Sequence, residues 1–210
     1  QALQLNERNA LAHDWYGWFL MARGRADEAL ARLRRALELE PHSILYNPDL
    51  AWFLLFTGRH AEAARQCEET RKLDRNNLQG NQALAWAHVL QGNHEAAVKV
   101  LLAVQQFEDS PQIRSDLAQV YARSGRRDEA SRILRELEVE AGASEFSVRS
   151  DDIALVYAAL GLKDEAFRWL DRALEEMSPS LLWIRVWWNF DPLRSDPRYG
   201  ELLRKVGLTE

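Results

Sequence analysis

The chain repeats itself at intervals of about 34 residues, and this period constrains the fold more than any other feature of the sequence. An alanine stands five residues after each of five marker glycines, and another small residue stands seven residues before each. Self-similarity at a fixed period is typical of proteins built from stacked structural repeats. The marker glycines, with spacings of 34, 34, 33 and 36 residues, are Gly24, Gly58, Gly92, Gly125 and Gly161.

The sequence pattern predicts two helices in each repeat, separated by the marker glycine. Apolar residues recur at helical spacing before the glycine, and a second helical pattern, such as residues 25–40, follows it. Acidic residues open this second helix, where the helix dipole favours negative charge. The glycine suits a left-handed C-cap, and the paired small residues let two antiparallel helices approach closely. We therefore predict an all-α chain of stacked helical hairpins.

This pattern resembles the tetratricopeptide repeat, a helix–turn–helix unit of 34 residues. With Ala10 at position 1, Gly17 falls at position 8, Ala29 at position 20 and Pro41 at position 32. The resemblance implies a right-handed α-solenoid of antiparallel hairpins in one domain. Its five repeats are 10–43, 44–77, 78–110, 111–146 and 147–180. The tryptophan that the family often has at position 4 is absent; the residues there are His13, Asn47, Asn81, Arg114 and Ser150.

Both ends of the chain depart from the repeat. Residues 1–9 align with the close of a repeat, so we expect them to be the tail of a preceding, truncated one. Residues 181–210 are expected to form C-terminal capping helices. Within them, Asp191-Pro192 and Asp196-Pro197 each read as an N-cap followed by a helix-starting proline, and Gly207 reads as a final C-cap. This ending is similar to that of bacterial tetratricopeptide proteins with an upstream DNA-binding, kinase or cyclase domain.

Charge and motifs argue against several function classes. The 27 Lys and Arg against 32 Asp and Glu give a formal charge of −5, which does not favour a phosphate-binding surface, so no direct nucleic-acid contact is expected. The apolar runs are far shorter than the roughly 20 residues that span a bilayer, so no membrane is expected either. Cys67 stands alone, and no catalytic or metal-binding motif occurs. We predict a cytoplasmic protein that is not an enzyme and needs no cofactor or metal.

The resemblance implies a candidate binding surface, because the first helix of each hairpin lines the concave groove in this family. Position 9 would form a tryptophan ladder, and nearby carboxylates would favour a basic, apolar peptide through cation–π and ionic contacts. Two alternatives stay open: the indoles pack on one another between repeats, and the acids serve the helix dipole. The candidate groove residues are Trp18, Trp52, Trp86, Asp14, Asp49, Asp116, Leu45, Leu55, Gln82 and Gln119.

Three functions remain open at this point. The leading interpretation is a non-catalytic module that binds a protein or peptide segment in its concave groove. The second is a regulatory or sensory region that controls an upstream effector domain of the same chain. The third is a self-association module, and the sequence leaves the oligomeric state undetermined.

Overall fold

The computed structural model describes residues 7–143 and 147–208. Within these ranges the regular structure is helical and no β-strand occurs. Two short 3₁₀ helices, Pro179–Trp183 and Trp188–Leu193, precede the last α-helix. The α-helices are α1 (Ala10–Ala22), α2 (Ala26–Leu39), α3 (Tyr46–Phe56), α4 (His60–Leu73), α5 (Leu78–Leu90), α6 (His94–Gln105), α7 (Pro111–Arg123), α8 (Arg127–Ala143), α9 (Ser150–Ala159), α10 (Lys163–Glu175) and α11 (Pro197–Val206).

The marker glycines separate the two helices of each repeat. All five have φ between 75° and 82°, in the left-handed region that side chains other than glycine rarely adopt. The amide of Gly24, for example, donates to the carbonyl of Met21, and the next amide, from Arg25, donates to Leu20. These bonds satisfy carbonyls at the end of α1. The predicted helix breaks at the five glycines are thus confirmed.

Residues 1–100 form one compact unit. In it, α1 packs on α2 and α3 packs on α4, each pair as a hairpin, and α5 packs on both α3 and α4. A Cβ placed on Gly17 would lie 3.3 Å from the carbonyl oxygen of Ala29, which brings positions 8 and 20 of the repeat into contact. The position-20 alanines are fully buried throughout: Ala29, Ala63, Ala97, Ala130 and Ala166. Small residues at these columns therefore allow the close helix crossing that the sequence predicts.

At position 4, where the family's tryptophan is absent, the second and third repeats have an asparagine that bonds to the loop before the first helix. The Asn47 side chain donates to the carbonyls of Pro41 (3.0 Å) and Ser43 (2.9 Å). Asn81 bonds in the same way to Arg75 and Asn77. A polar side chain thus satisfies loop carbonyls next to buried helices.

Residues 101–210 form a second compact unit. Here α7 pairs with α8, α9 pairs with α10, and α9 also packs on α7. The C-terminal segment packs on the last hairpin, where Ile184, Phe190 and Leu193 join a buried cluster with Leu170. The Tyr199 hydroxyl donates to the carbonyl of Ile184 at 2.5 Å. This segment is therefore anchored to the last hairpin by buried apolar side chains.

The C-terminal caps agree only partly with the sequence prediction. Asp196 caps α11 by accepting from the amide of Arg198, and Gly207 ends the helix at φ 79°. The prediction for Asp191 was wrong, because Asp191 and Pro192 lie inside the second 3₁₀ helix. Asp191 instead accepts from the Arg194 guanidinium.

Two sequence expectations fall partly on residues that the structure does not describe. The predicted fourth repeat ends at residue 146, but 144–146 lie outside the described residues, and α8 is described up to Ala143. The expected tail of a preceding repeat includes 1–6; of it, only 7–9 are described, as a turn and a cap that lead into α1.

Candidate protein-binding surface

Aromatic side chains of α1 and α3 form a cluster in the first unit. The Phe53 ring meets the Trp18 ring edge to face, with centroids 4.8 Å apart. The Phe56 ring lies 6.3 Å from Trp18 and 6.1 Å from Trp52. Phe53 is fully buried, whereas the other three rings are half-buried and keep part of their surface in solvent. We call Trp18, Trp52 and Phe56 the aromatic surface.

Helix geometry places one more apolar residue beside this surface. Leu45 is the N-cap residue of α3 and precedes Trp52 by seven residues, or about two helical turns, so it lies at the start of the helix side that carries Trp52. Leu45 is 42% exposed. Leu55, in contrast, is 2% exposed and belongs to the core. The exposed part of the predicted groove in this unit therefore centres on Trp52.

The third indole of the predicted ladder lies in a different environment. Trp86 on α5 is 1% exposed, and Gln82, one turn before it, is 5% exposed. Neither side chain offers appreciable surface to a partner in this conformation. The partly exposed indoles of the ladder are those of Trp18 and Trp52.

A pair of buried carboxyl groups lies beneath the aromatic surface. Asp14 is 3% exposed and Asp49 is 2% exposed. The two side chains share a hydrogen bond, and Trp18 donates to Asp49. Burial and the neighbouring Asp14 raise the pKa of Asp49 to about 8, and burial also raises the pKa of Asp14. At neutral pH the pair therefore retains a proton and presents less negative charge than two free carboxylates.

The predicted residues of the second unit are also buried. Asp116 is 6% exposed and Gln119 is 1% exposed. The Asn189 side chain donates to Gln119 at 3.0 Å, and Gln119 donates to the Ser115 hydroxyl at 3.2 Å. Gln119 is thus bonded to the chain's own C-terminal segment. Sequence reasoning missed Asn189, because no local pattern pairs residues 70 positions apart.

The described residues include a buried thiol and no metal-binding cluster. Cys67 is fully buried, and burial raises the pKa of its thiol to about 12, so the reactive thiolate is scarce at neutral pH. No group of three His, Cys, Asp or Glu side chains within 7–143 and 147–208 is arranged to hold a metal ion. None of the described helices is long and apolar enough to cross a membrane.

Several known proteins share this architecture. A thermophilic TPR protein from Thermus thermophilus, TTC0263, is 25% identical over 93% of this chain and 99% of its own, with a TM-score of 0.66. PilF of Pseudomonas aeruginosa is 20% identical over 96% of this chain and 94% of its own, with a TM-score of 0.60. YrrB, described as a TPR protein with an unusual peptide-binding site, is 17% identical over 88% of this chain and 94% of its own, with a TM-score of 0.51.

Models of protein families identify the same repeat that the similar structures contain. One tetratricopeptide repeat model matches residues 20–77, and a second matches 83–103 and 111–136. A search of curated proteins found no match. The matched segments coincide with hairpins whose glycine caps, buried alanines and close crossings are those of this repeat. The chain belongs to the tetratricopeptide repeat family.

Proposed function

We propose that this chain is a protein-interaction module that binds a segment of another protein on its aromatic surface, with Trp52 as the central anchor. Tetratricopeptide repeats are generally protein–protein interaction modules and non-catalytic scaffolds. The observation that carries the proposal is the partial exposure of Trp18, Trp52 and Phe56 in one cluster. Clustered aromatic side chains with partial exposure are typical of the residues that dominate protein interfaces.

The geometry of the cluster supports a preorganised site. The ring of the buried Phe53 packs against Trp18, and Trp18 also donates a hydrogen bond to Asp49. Trp52 is held from one side by Phe56. Aromatic rings fixed in this way lose little side-chain entropy on binding, so contact with a partner is less costly.

The partner that suits this surface is an apolar segment. Leu45, Trp52 and Phe56 present carbon-rich surface along one side of α3. A basic side chain in the partner would be attracted less strongly than the sequence suggests, because Asp14 and Asp49 are buried and share a proton at neutral pH. YrrB, a structure of similar fold, is described as having a peptide-binding site, which supports a peptide as the form of the ligand.

Peptide selection followed by titration tests this proposal. Peptides are selected from a random displayed library against the full chain, and the best binders are titrated against variants by calorimetry. We expect Trp52→Ala to weaken binding by about thirtyfold or more, which corresponds to the roughly 2 kcal/mol of an interface hot spot. Phe56→Ala is expected to weaken it as well.

A matched control separates this surface from other exposed aromatic residues. Phe107 is 47% exposed in the second unit and lies outside the aromatic surface, so Phe107→Ala should leave the affinity unchanged. Asp49→Asn tests the basic-ligand alternative, since a basic peptide held by ionic attraction would lose affinity with it. Selected peptides that bind Trp52→Ala and wild type equally would refute the proposed site.

A further inference from the structure

One face of α1 is apolar and exposed. Leu11, Trp15 and Phe19 follow one another at intervals of four residues, so they form a stripe along one side of the helix. They are 48%, 68% and 57% exposed, respectively. We call these three residues the Trp15 face.

Two of the three positions on this face are covered in every other repeat, whereas position 2, where Leu11 stands, is also exposed at Leu45, Gln79 and Gln112. Trp15 stands at repeat position 6 and Phe19 at position 10. At position 6 no other residue is more than 6% exposed: Asp49, Ala83, Asp116 and Asp152. At position 10 all the others are fully buried: Phe53, Ala87, Val120 and Val156. The first repeat is therefore the exception at both positions.

The first unit shows what covers position 10. Phe53, the equivalent of Phe19 in the second repeat, lies against Trp18 of α1 with ring centroids 4.8 Å apart. A Cβ on Gly17 would come within 3.2 Å of the Phe53 ring. A small residue followed by a large one on the preceding first helix thus receives the position-10 side chain.

From this equivalence we infer that the Trp15 face is the docking site of one more amphipathic α-helix, placed as the first helix of a preceding hairpin would be. Its chemistry is that of the chain's own first helices, which carry Gly or Ala followed by a large residue. The small residue leaves room for Phe19, and the large one packs against its ring. The pairs within this chain are Gly17-Trp18, Ala51-Trp52, Ala85-Trp86, Ala118-Gln119 and Ala154-Leu155. The docked helix would continue the same packing that α1 and α3 already make.

The size of the face argues against a second copy of the chain as its occupant. Aromatic side chains bury about 150–250 Å² each, so Trp15 and Phe19 together expose on the order of 250 Å². Each partner in a stable complex buries about 800 Å². A single helix matches the small face, whereas a dimer held by it alone would be weak.

A tethered helix tests the inference on the full chain. The probe copies residues 78–91, which contain the Ala85-Trp86 pair, and a flexible Gly/Ser linker joins it to the N-terminus to raise its effective concentration. Amide hydrogen exchange is then measured over residues 10–22. We expect at least fivefold slower exchange than in the chain without the probe.

Two sets of variants identify the contact. Trp15→Ala and Phe19→Ala should each abolish the added protection, and both should fold because the replaced side chains are exposed. Val139→Ala is the matched control, since Val139 is 74% exposed on α8. A probe in which leucine replaces the copied Ala85 should fail, because it removes the space for Phe19.

The contrary results are equally clear. Unchanged exchange over 10–22 would overturn the inference, and so would equal protection by the leucine-containing probe. Sedimentation of the unmodified chain provides the remaining check. A concentration-dependent dimer that Phe19→Ala abolishes would assign the face to a second copy instead. The outcome does not depend on Trp52, so this experiment tests the inference separately from the proposed binding function of the aromatic surface.

Discussion

The ring of Phe53 packs edge to face on the ring of Trp18, with centroids 4.8 Å apart, over the backbone of Gly17. This contact joins the first helices of the first two repeats. The contact also supports the aromatic surface on its buried side. The packing of the repeats and the shape of the candidate binding site therefore depend on the same residues.

Replacing Gly17 should therefore destabilise the first unit. A Cβ there would lie 3.2 Å from the Phe53 ring and 3.3 Å from the Ala29 carbonyl, so a larger side chain forces the helices apart. We expect Gly17→Leu to lower the free energy of unfolding by about 1–3 kcal/mol, as overpacking does. Urea unfolding of the full chain measures it. Ala31→Leu, at an exposed position of α2, is the control and should change stability little.

The Asp14–Asp49 pair should make stability depend on pH. Because the pKa of Asp49 is raised to about 8 in the folded chain, the folded state holds a proton that the unfolded state releases near pH 4. Its stabilising contribution is complete below about pH 4 and is lost as the pH rises through about 8. We expect the free energy of unfolding to fall by more than about 1 kcal/mol across this range.

The test compares urea unfolding at several pH values for wild type and Asp49→Asn. The variant should lose most of this pH dependence, whereas Asp27→Asn, at an exposed site on α2, should retain it. Parallel curves for wild type and Asp49→Asn would mean that the pair does not hold the proton.

Cys67 should be unreactive until the chain unfolds. Burial raises the pKa of its thiol to about 12, so at pH 8 only about one thiol in 10,000 is the reactive thiolate. We expect a thiol-reactive disulfide reagent to label the native chain at least a hundredfold more slowly than the chain in denaturant. Rapid stoichiometric labelling of the native protein would contradict this.

The sequence predicts the repeat well because its signals are local. The glycine at each helix end and the small residues at positions 8 and 20 act within one hairpin, and Gly24 and Ala29 behave as their positions indicate. Asp196 and Gly207 are likewise read correctly, since capping involves near neighbours. Asp191-Pro192 gives the same local signal, yet tertiary packing of Phe190 and Leu193 holds this segment in a 3₁₀ helix.

Exposure of the candidate site could not be predicted in the same way. Trp18, Trp52 and Trp86 share one repeat position, but their exposure depends on which side chains neighbouring helices place beside them. The same holds for Asp49, whose burial is set by α1 as well as by its own helix. Periodicity fixes the direction of a side chain from its helix, whereas burial is a property of the assembled unit.

The hydrogen bond between Asn189 and Gln119 should couple the contributions of these two residues to the stability of the second unit. Both side chains are 1% exposed, and Asn189 donates to Gln119 at 3.0 Å. Removing one partner leaves a buried amide unsatisfied, which costs about 1–3 kcal/mol. We expect Asn189→Ala and Gln119→Ala each to lower the free energy of unfolding by this amount, measured by urea denaturation.

The double variant should be destabilised by less than the sum of the two single substitutions, with a coupling of at least about 0.5 kcal/mol, because the effects of residues in one hydrogen-bond network are not additive. Gln112→Ala, at an exposed position on α7, controls for loss of a glutamine from that helix. Strict additivity of the two substitutions would show that this bond does not couple the C-terminal segment to α7, and the apolar residues Phe190 and Leu193 would be the ones to test next.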